Sequence, residues 1–524
     1  MNTSASRIQK AVELTIEAGY QLNKEAFELL NAVAATEDPV EVMCKAIQKL
    51  DELKDKPLFI ERELLEKLIE EPLEKNILQP PDEQVGSFPL SSDLEHIPQV
   101  LEGKKAFHPY AGEIEADINV IDDPGSKLST NGTMEDYLRY FHDRFKRIER
   151  LLRQRMDAKG ATSVLDALKA SPNTKVKIIG MVAEKREFKQ KIILTIEDLY
   201  ASATMLVPQN ASAELLNKAR NLLLDQVVCV IAAKTRGNLL IAEDIILPDI
   251  APKTQNKASV PIYAVLTSDM HVGSLKFESK AFNRFVLWLN GKYGNAEMRE
   301  IAGRVKYVLI AGDIVDGIGV YPNQIKELAV KDIHGQYKFA AKLIEQIPDY
   351  IEVIIIPGNH DAPRKALPQP PISNVFLEQL QESRKIHSFG NPSMISLHKV
   401  EVLIYHGRSL DDVVSTVPGM EYTKPEKAMT LFLQGRHLAP MYGGKTPLSP
   451  ESKDHLVIER VPDIFHAGHI HTLGYTNYRG VMVVNSGCWQ DQTEYMRRLG
   501  FMPTPSLVPV VNLQTLDISV LPFS

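Results

Sequence analysis

Residues 304–313 read RVKYVLIAGD, and residues 350–361 read YIEVIIIPGNHD. Each stretch is an apolar, largely β-branched run that leads into a glycine followed by an Asp or Asn side chain. Short apolar runs bounded by glycine and proline are typical of strands buried on both faces. Similar runs alternate with helical periodicity from residue 257 onwards. We therefore predict that residues 257–524 form an α/β sandwich.

Side chains that can bind metals occur at the ends of these strands and of the other predicted strands. In chain order they are Asp269, His271, Asp313, Asp316, Asn359, His360, Asp361, His406, His469 and His471. Any one of these motifs is common by chance, but five in succession after apolar strands favour one site, because loops at the carboxyl ends of sheet strands bind ligands. Two divalent cations around a bridging carboxylate can activate water against a phosphate ester. Asp313, on a tight Gly-Asp turn, is the predicted bridge.

The rest of the chain divides by composition, so that the fold class is multidomain α/β plus β. The predicted regions are a helical N-terminal module (1–75), an acidic, Pro-rich linker (76–134), a basic amphipathic helix (135–160) and a β-barrel of the oligonucleotide/oligosaccharide-binding (OB) type (161–256), which precede the sandwich. The barrel contains few aromatic residues, mainly Phe188 and Tyr200, which does not favour single-strand binding by stacking. A protein-docking role suits it at least as well.

The basic helix has two interpretations. Its apolar side chains lie near one face, and six basic residues cover much of the remainder: Arg144, Lys146, Arg147, Arg150, Arg153 and Arg155. The helix either docks on the protein with a solvated charged face or contacts phosphates. The sequence alone favours the docked helix.

Composition excludes several classes of protein. Hydrophobic residues make up 44% of the 524 residues and charged residues 24%, as in ordinary globular chains. The net charge of −7 combines −14 in residues 1–140 with +7 in the remainder, which permits nucleic-acid binding without requiring it. Three widely separated cysteines and the lack of a long apolar run indicate a reducing, intracellular, cytoplasmic location, and no membrane.

The ordered motifs Asp-x-His, Gly-Asp-x-x-Asp, Gly-Asn-His-Asp, His-Gly and Gly-His-x-His resemble those of the calcineurin-like metallophosphoesterase superfamily over residues 260–500. The resemblance implies two divalent metal ions. One would be held by Asp269, His271, Asp313 and His471, and the other by Asp313, Asn359, His406 and His469. It also implies that His360 is the non-ligand acid that protonates the leaving oxygen. We interpret His466 as a structural neighbour of the ligands.

A narrower resemblance covers residues 135–524. The stretches HGRSLDDVVSTVPGM (406–420), VPDIFHAGHIHTLGY (461–475) and NSGCWQDQTEYMRRLGFMPTP (485–505) are similar to small subunits of archaeal family D DNA polymerases. This resemblance implies a manganese-dependent 3′-to-5′ exonuclease that acts on single-stranded DNA 3′ ends or primer–template, proofreads for a large catalytic subunit and is associated with the nucleoid. Whether a sliding clamp is contacted stays open. No polymerase signature is evident, so synthesis would come from the partner.

Two other enzyme classes fit the residues less well. Protein phosphatases of the superfamily carry Arg and Glu where this chain has Gly317 and Asp361, and a double-strand-break repair nuclease would lack the barrel and basic helix. The main alternative is a non-enzymatic docking subunit with a vestigial metal site. Intact ligand positions, and His360 in particular, argue against it.

A long, Pro-rich insertion separates His406 from His466. It is too long for a simple crossover, so we expect it to shape a DNA entrance beside the metals. Arg436 and Lys445 in this insertion are predicted to contact backbone phosphates. A packed loop with solvated charges is the equal alternative.

Overall fold

The computed structural model describes residues 107–125, 128–376, 384–498 and 500–524, together with scattered residues between 8 and 60. The chain divides into two compact units, residues 1–90 and residues 91–524. None of the described helices is long and apolar enough to cross a membrane.

In the first unit, described residues such as Ala26 and Leu30 are helical, and both lie in a small buried cluster with Met43. This unit also contains two short parallel strands, β1 (Gln21–Leu22) and β2 (Phe59–Ile60). The sequence analysis predicted helices here and missed both strands, because a two-residue strand leaves no periodic pattern.

The amino-terminal half of the second unit contains one edge strand, a long helix and the barrel. Its elements are β3 (Ile118–Asp122), α1 (Met134–Arg153), α2 (Val164–Lys169), β4 (Lys175–Phe188), β5 (Lys191–Glu197), β6 (Ser202–Val207), α3 (Ala213–Asn221), β7 (Val227–Lys234) and β8 (Leu239–Ile246). The five strands close in the order β4-β5-β6-β8-β7, around buried residues such as Ile178, Leu194 and Val230. The predicted five-stranded barrel is confirmed.

The carboxyl-terminal half supplies the sandwich. Its strands are β9 (Tyr263–Thr267), β10 (Val305–Ala311), β11 (Glu352–Ile356), β12 (Ile386–Ser388), β13 (Ser393–Leu397), β14 (Val400–Tyr405), β15 (Ile464–Ala467), β16 (Leu473–Tyr478), β17 (Val481–Ser486), β18 (Leu507–Asn512) and β19 (Ile518–Pro522). Its helices are α4 (Ser279–Leu289), α5 (Ala296–Ala302), α6 (Ile333–Ile344), α7 (Leu410–Thr416), α8 (Pro425–Gly435) and α9 (Glu494–Arg498).

Two six-stranded sheets stack face to face. The first sheet has the order β12-β11-β10-β9-β18-β19, and the second has the order β16-β17-β15-β14-β13-β3. Strands β9 to β12 run parallel, as do β14, β15 and β17. A buried apolar layer that includes Leu309, Ile354 and Val402 fills the space between the sheets. Helices α4 to α6 cover the outer face of the first sheet, and α7 and α8 cover that of the second.

The linker prediction is wrong for residues 107–125. Strand β3 adds to the edge of the second sheet by pairing with β13. Ahead of it, the backbone N–H of Asp117 donates to the Tyr307 hydroxyl at 2.9 Å. An edge strand needs only one neighbour, so a short apolar stretch among prolines suffices to form it. Residues 76–106 lie outside the described residues.

Helix α1 is docked rather than free. It begins with a capping box, in which Asp136 N–H donates to Thr133 Oγ1 and the Asp136 carboxylate accepts from Thr133 N–H, both at 3.2 Å. Five of the six basic residues named for this helix form ion pairs; their partners are Asp454, Asp143, Glu459, Glu149 and Asp157. The helix is therefore docked, as the sequence favoured, but its charged face is only partly solvated because Arg144 and Arg147 are buried.

Candidate metal centre

The predicted ligands come from both sheets and meet where the parallel strands end. Asp269, Asp313 and Asn359 follow β9, β10 and β11 of the first sheet, whereas His406 and His469 follow β14 and β15 of the second. All carboxyl ends of these strands point to the same edge of the sandwich. The pocket therefore lies across the seam between the two sheets, as the positions of the motifs predicted.

The backbone at these positions is strained. Asp269, His271, Asp313 and His469 all have positive φ angles, between 49° and 68°. This region is costly for residues other than glycine and persists mainly where the surrounding structure enforces it, often at functional sites. The backbone is also crowded at Gly358, because a Cβ atom at this position would overlap the Asp313 carboxylate. Its lack of a side chain lets two loops approach each other.

One group of side chains contains Asp269, His271 and His471, all buried. The Nε2 atoms of His271 and His471 are 3.0 Å apart, and His471 Nε2 lies 3.4 Å from Asp269 Oδ1. Asp313 Oδ2 is 3.8 Å from His271 Nε2. Four potential ligand atoms therefore converge on one point.

The second group contains Asp313, Asn359, His406 and His469. His406 Nε2 lies 3.1 Å from Asn359 Oδ1 and 3.3 Å from Asp313 Oδ2. A ring nitrogen of His469 lies within 4.8 Å of both Asp313 and His406 ligand atoms. Because Asp313 Oδ2 is close to histidines of both groups, it occupies the position that a bridging carboxylate would take.

The chemistry of these side chains fits divalent cations. Asp269 Oδ1, one of the converging atoms, is buried and has no hydrogen-bond partner among the described residues, which is costly for a polar atom. Burial alone would lower the pKa of His271, yet the carboxylates of Asp269, Asp316 and Asp313 raise it to about 10. These carboxylates thus favour positive charge at His271. Mixed imidazole and oxygen ligands suit several first-row metals.

Neighbouring groups fix the orientation of three of the histidines. His271 Nδ1 contacts Asp316 Oδ1 at 2.9 Å, and His406 Nδ1 contacts the Ala311 carbonyl at 2.8 Å. His469 Nε2 contacts Asp411 Oδ2 at 3.1 Å, which leaves its Nδ1 for the pocket. Such partners set the tautomer and angle of a metal-binding imidazole. The sequence analysis missed Asp411, which is 58 residues from His469 and has no spacing signal.

His466 supports the ligands without being one of them. It is completely buried, and burial lowers its pKa to about 3, so that it is neutral. Its Nε2 lies 3.1 Å from Ser486 Oγ, which is 2.8 Å from Ser268 Oγ. Ser268 in turn donates to Asp269 Oδ2. This chain of hydrogen bonds connects the imidazole to a predicted ligand, in agreement with the structural role expected of His466.

His360 lies at the rim of the pocket with a side chain that is 14% exposed. Its backbone N–H donates to Asp313 Oδ1 at 2.8 Å, and its Nδ1 contacts the Asp316 carbonyl at 2.6 Å. That contact requires the proton on Nδ1 and leaves Nε2 for a substrate. Burial lowers the pKa of His360 to about 4, so the imidazole is neutral in the absence of an anion.

Arg436 and Lys445 occupy different environments. Arg436 is only 5% exposed, and its guanidinium donates to the carbonyls of Ile458 and Glu459, both at 2.6 Å. The predicted phosphate contact of Arg436 is therefore wrong, because these carbonyls hold the side chain inside the protein at the end of α8. Lys445 is exposed and lies close enough to Asp411 to lower the pKa of that carboxyl group, against the opposing effect of burial.

We expect Asp411→Asn to weaken any Mn²⁺ binding at the group that contains His469 by about 10- to 100-fold, but not at the group that contains His271, because His469 loses its carboxylate partner. Isothermal titration calorimetry measures this as one affinity that falls while the other is kept. Asp491→Asn, which removes an exposed carboxylate beside Lys276, is the matched control. Equal loss in both variants would contradict the orienting role of Asp411.

Residues 264–473, which contain every predicted ligand, match the family model that describes the B-type subunit of DNA polymerases alpha and epsilon. The class of protein to which the sandwich and its pocket are similar is therefore a subunit of DNA polymerases. A solved archaeal phosphodiesterase aligns over 50% of this chain and 99% of its own, at 14% identity and a TM-score of 0.25. That similarity is too weak to support a conclusion.

Curated relatives define the family more narrowly. The DNA polymerase II small subunit of Archaeoglobus fulgidus is 43% identical over 75% of this chain and 78% of its own. The same subunit of Methanothermobacter thermautotrophicus is 41% identical over 76% and 82%, and that of Halobacterium salinarum is 37% identical over 85% of each chain. The chain belongs to the family of DNA polymerase II small subunits, which confirms the resemblance.

Proposed function

We propose that this chain is a two-metal 3′-to-5′ exonuclease that hydrolyses phosphodiester bonds of single-stranded DNA and proofreads for a large catalytic subunit. The observation that carries the proposal is the pair of ligand groups that share Asp313. A subunit with only a docking role has no physical need for a complete, buried set of this kind. The narrower resemblance supplies the polarity and favours manganese.

Two divalent ions bound by these groups would supply Lewis acidity toward a phosphodiester. Asp313 would hold both ions, and Asp269, His271 and His471 would hold one of them at a fixed angle. Asn359, His406 and His469 would hold the other. His360, fixed through Nδ1 by the Asp316 carbonyl, would present Nε2 to the leaving oxygen. The negative charge of a bound phosphate favours the imidazolium form of His360, whose Nε2–H would then protonate the leaving oxygen or stabilise the phosphate.

Two cations that the sequence analysis missed add to the proposed substrate contacts. Arg408 follows the His406-Gly407 turn, and its buried Nη1 has no partner among the described residues. Burial and the nearby Arg408 charge lower the pKa of Lys365, while Asp313 raises it. Two cations that influence each other and form no ion pair with a carboxylate among the described residues suit a bound phosphate. We assign phosphate binding to Arg408 and Lys365, with exposed Lys445 as an outer contact.

A small subunit implies a larger partner, so the test uses the two-subunit complex as well as the chain alone. Single-stranded oligonucleotides labelled at the 3′ or 5′ end are incubated with Mn²⁺, and products are separated by length. Stepwise loss from the 3′ end is expected. Asp313→Ala should abolish this loss, because neither metal retains its shared ligand.

A complex that binds Mn²⁺ but cleaves neither strand would contradict the exonuclease and favour the docking subunit. Cleavage that persists in Asp313→Ala would show that the activity arises elsewhere. Loss from the 5′ end alone would contradict the polarity and leave the phosphodiesterase.

A further inference from the structure

A pair of stacked tyrosines lies beside the pocket. The rings of Tyr321 and Tyr495 are 5.4 Å apart with an interplanar angle of 28°, and the Tyr321 ring is 6.3 Å from that of His360. Tyr321 belongs to the loop that follows β10, whereas Tyr495 lies on α9 after β17. Two segments far apart in sequence therefore place a flat aromatic surface at the rim of the metal centre.

Further contacts hold the Tyr321 side chain and the segment that leads to Tyr495. The Tyr321 hydroxyl donates to Glu327 Oε2 at 3.0 Å. The segment that leads into α9 is anchored to the loop after β9, because Asp491 N–H donates to the Lys276 carbonyl at 2.9 Å. The aromatic surface is thus formed before any ligand binds, which reduces the entropic cost of using it.

Tyr495 is half exposed, and its hydroxyl forms no hydrogen bond within the described part of the chain. A tyrosine that served only to stabilise the fold would be expected to bury its ring or pair its hydroxyl. The other exposed aromatic residues in the described part of the chain belong to other elements: Phe188 and Tyr200 are on the barrel, Tyr442 packs on α1, Tyr475 is on β16, and Phe107 precedes β3. Base stacking on aromatic rings is tolerant of sequence, as a nuclease for any strand requires.

We propose that Tyr321 and Tyr495 form a stacking site for one unpaired nucleobase of the strand whose phosphodiester lies at Asp313 and His360. This inference rests on the proposed function only in placing a strand at the pocket. A base paired within a duplex has both faces covered by its neighbours, so the site accepts a frayed or mismatched end and discriminates against a paired one. The aromatic pair is therefore a selectivity element as well as a binding surface.

The test measures binding of a 5′-fluorescein-labelled single-stranded oligonucleotide to the full chain by anisotropy in Mn²⁺. The 3′-terminal linkages of this oligonucleotide are phosphorothioates, which limit its cleavage. A matched series of oligonucleotides differs from it only in one abasic residue, placed in turn at each of the positions nearest the 3′ end. We expect one abasic position to weaken binding to the unsubstituted protein by about tenfold. Tyr495→Ala should weaken binding of the intact strand by a similar factor and lose the abasic effect.

Tyr495→Phe keeps the ring and should keep the abasic effect, while Tyr200→Ala, which removes an even more exposed ring on the barrel, should behave like the unsubstituted protein. An abasic effect of undiminished size in Tyr495→Ala would overturn the proposal. So would weaker association of Tyr495→Ala with the large subunit at unchanged strand affinity, since the rings would then belong to an interface. Base-dependent binding without cleavage of an ordinary strand would contradict the exonuclease and leave the stacking site.

Discussion

His360→Ala is expected to reduce hydrolysis of single-stranded DNA by about 10²- to 10⁴-fold, the usual contribution of a positioned proton donor. The imidazole lies at the rim of the pocket, where a backbone carbonyl fixes its Nδ1 and leaves its Nε2 for substrate. The predicted ligands remain in place in this variant. Calorimetry should therefore show two Mn²⁺ ions bound with little change in affinity, while the rate of hydrolysis of end-labelled strands falls by the factor given above.

His387→Ala is the matched control, because His387 is also partly buried, at 17% exposure, and pairs with Glu352 away from the pocket. It should hydrolyse DNA normally. Association with the large subunit, measured by co-purification, should be unchanged in both variants. Loss of association in His360→Ala alone would contradict the separation of catalysis from docking, and normal hydrolysis would exclude His360 as the acid.

Asp454→Asn is expected to lower the free energy of unfolding by about 3–5 kcal/mol. Asp454 Oδ2 is 2.7 Å from Arg144 Nε, and both side chains are fully buried. His437, which accepts from Ala439 N–H through Nδ1, donates to the same carboxylate through Nε2. The substitution leaves the Arg144 charge buried without a counter-charge. Chemical denaturation measures the loss, and hydrogen exchange should locate it in α1.

Asp157→Asn removes a partly exposed pair with Arg155 and should cost only about 0–1 kcal/mol. A similar loss of unfolding free energy in Asp454→Asn and Asp157→Asn would contradict the distinction between buried and exposed ion pairs.

The contribution of Asp454 to stability depends on pH with a definite sign. Burial opposes ionisation of Asp454, but His437 and Arg144 hold its pKa below the ordinary value of 3.8. Its contribution is therefore complete above the ordinary pKa and is lost as the pH falls toward the pKa in the folded state.

The sequence predicted the parts of the fold that leave a local pattern. Apolar strands such as Val305–Ala311, buried throughout, are visible as continuous runs, and short β-branched stretches separated by polar turns predicted the barrel. Strand β3 was missed because it forms by pairing with β13, and its own sequence has no periodic pattern that would indicate a strand. The burial of Arg436 could not be predicted either, since the carbonyls to which it donates lie 22 and 23 residues further on.

The candidate site divides in the same way. The predicted ligands could be found because each lies in a loop just after a strand, and the structure brings all of them together. Asp411, Arg408 and the Tyr321–Tyr495 pair depend on how loops from different strands meet, which no spacing in the chain reveals. The distances between such loops depend on how the two sheets stack, so these contacts could be identified only from the structure.

The division of the pocket between two sheets also bears on the order of synthesis. Asp269, Asp313 and Asn359 are made well before His469 and His471, and β18, which pairs with β9 in the middle of the first sheet, is made later still. A chain still emerging from the ribosome contains only part of the ligand set, and its first sheet still lacks β18. The candidate metal centre is thus completed last, and a chain truncated before His469 lacks part of its ligand set.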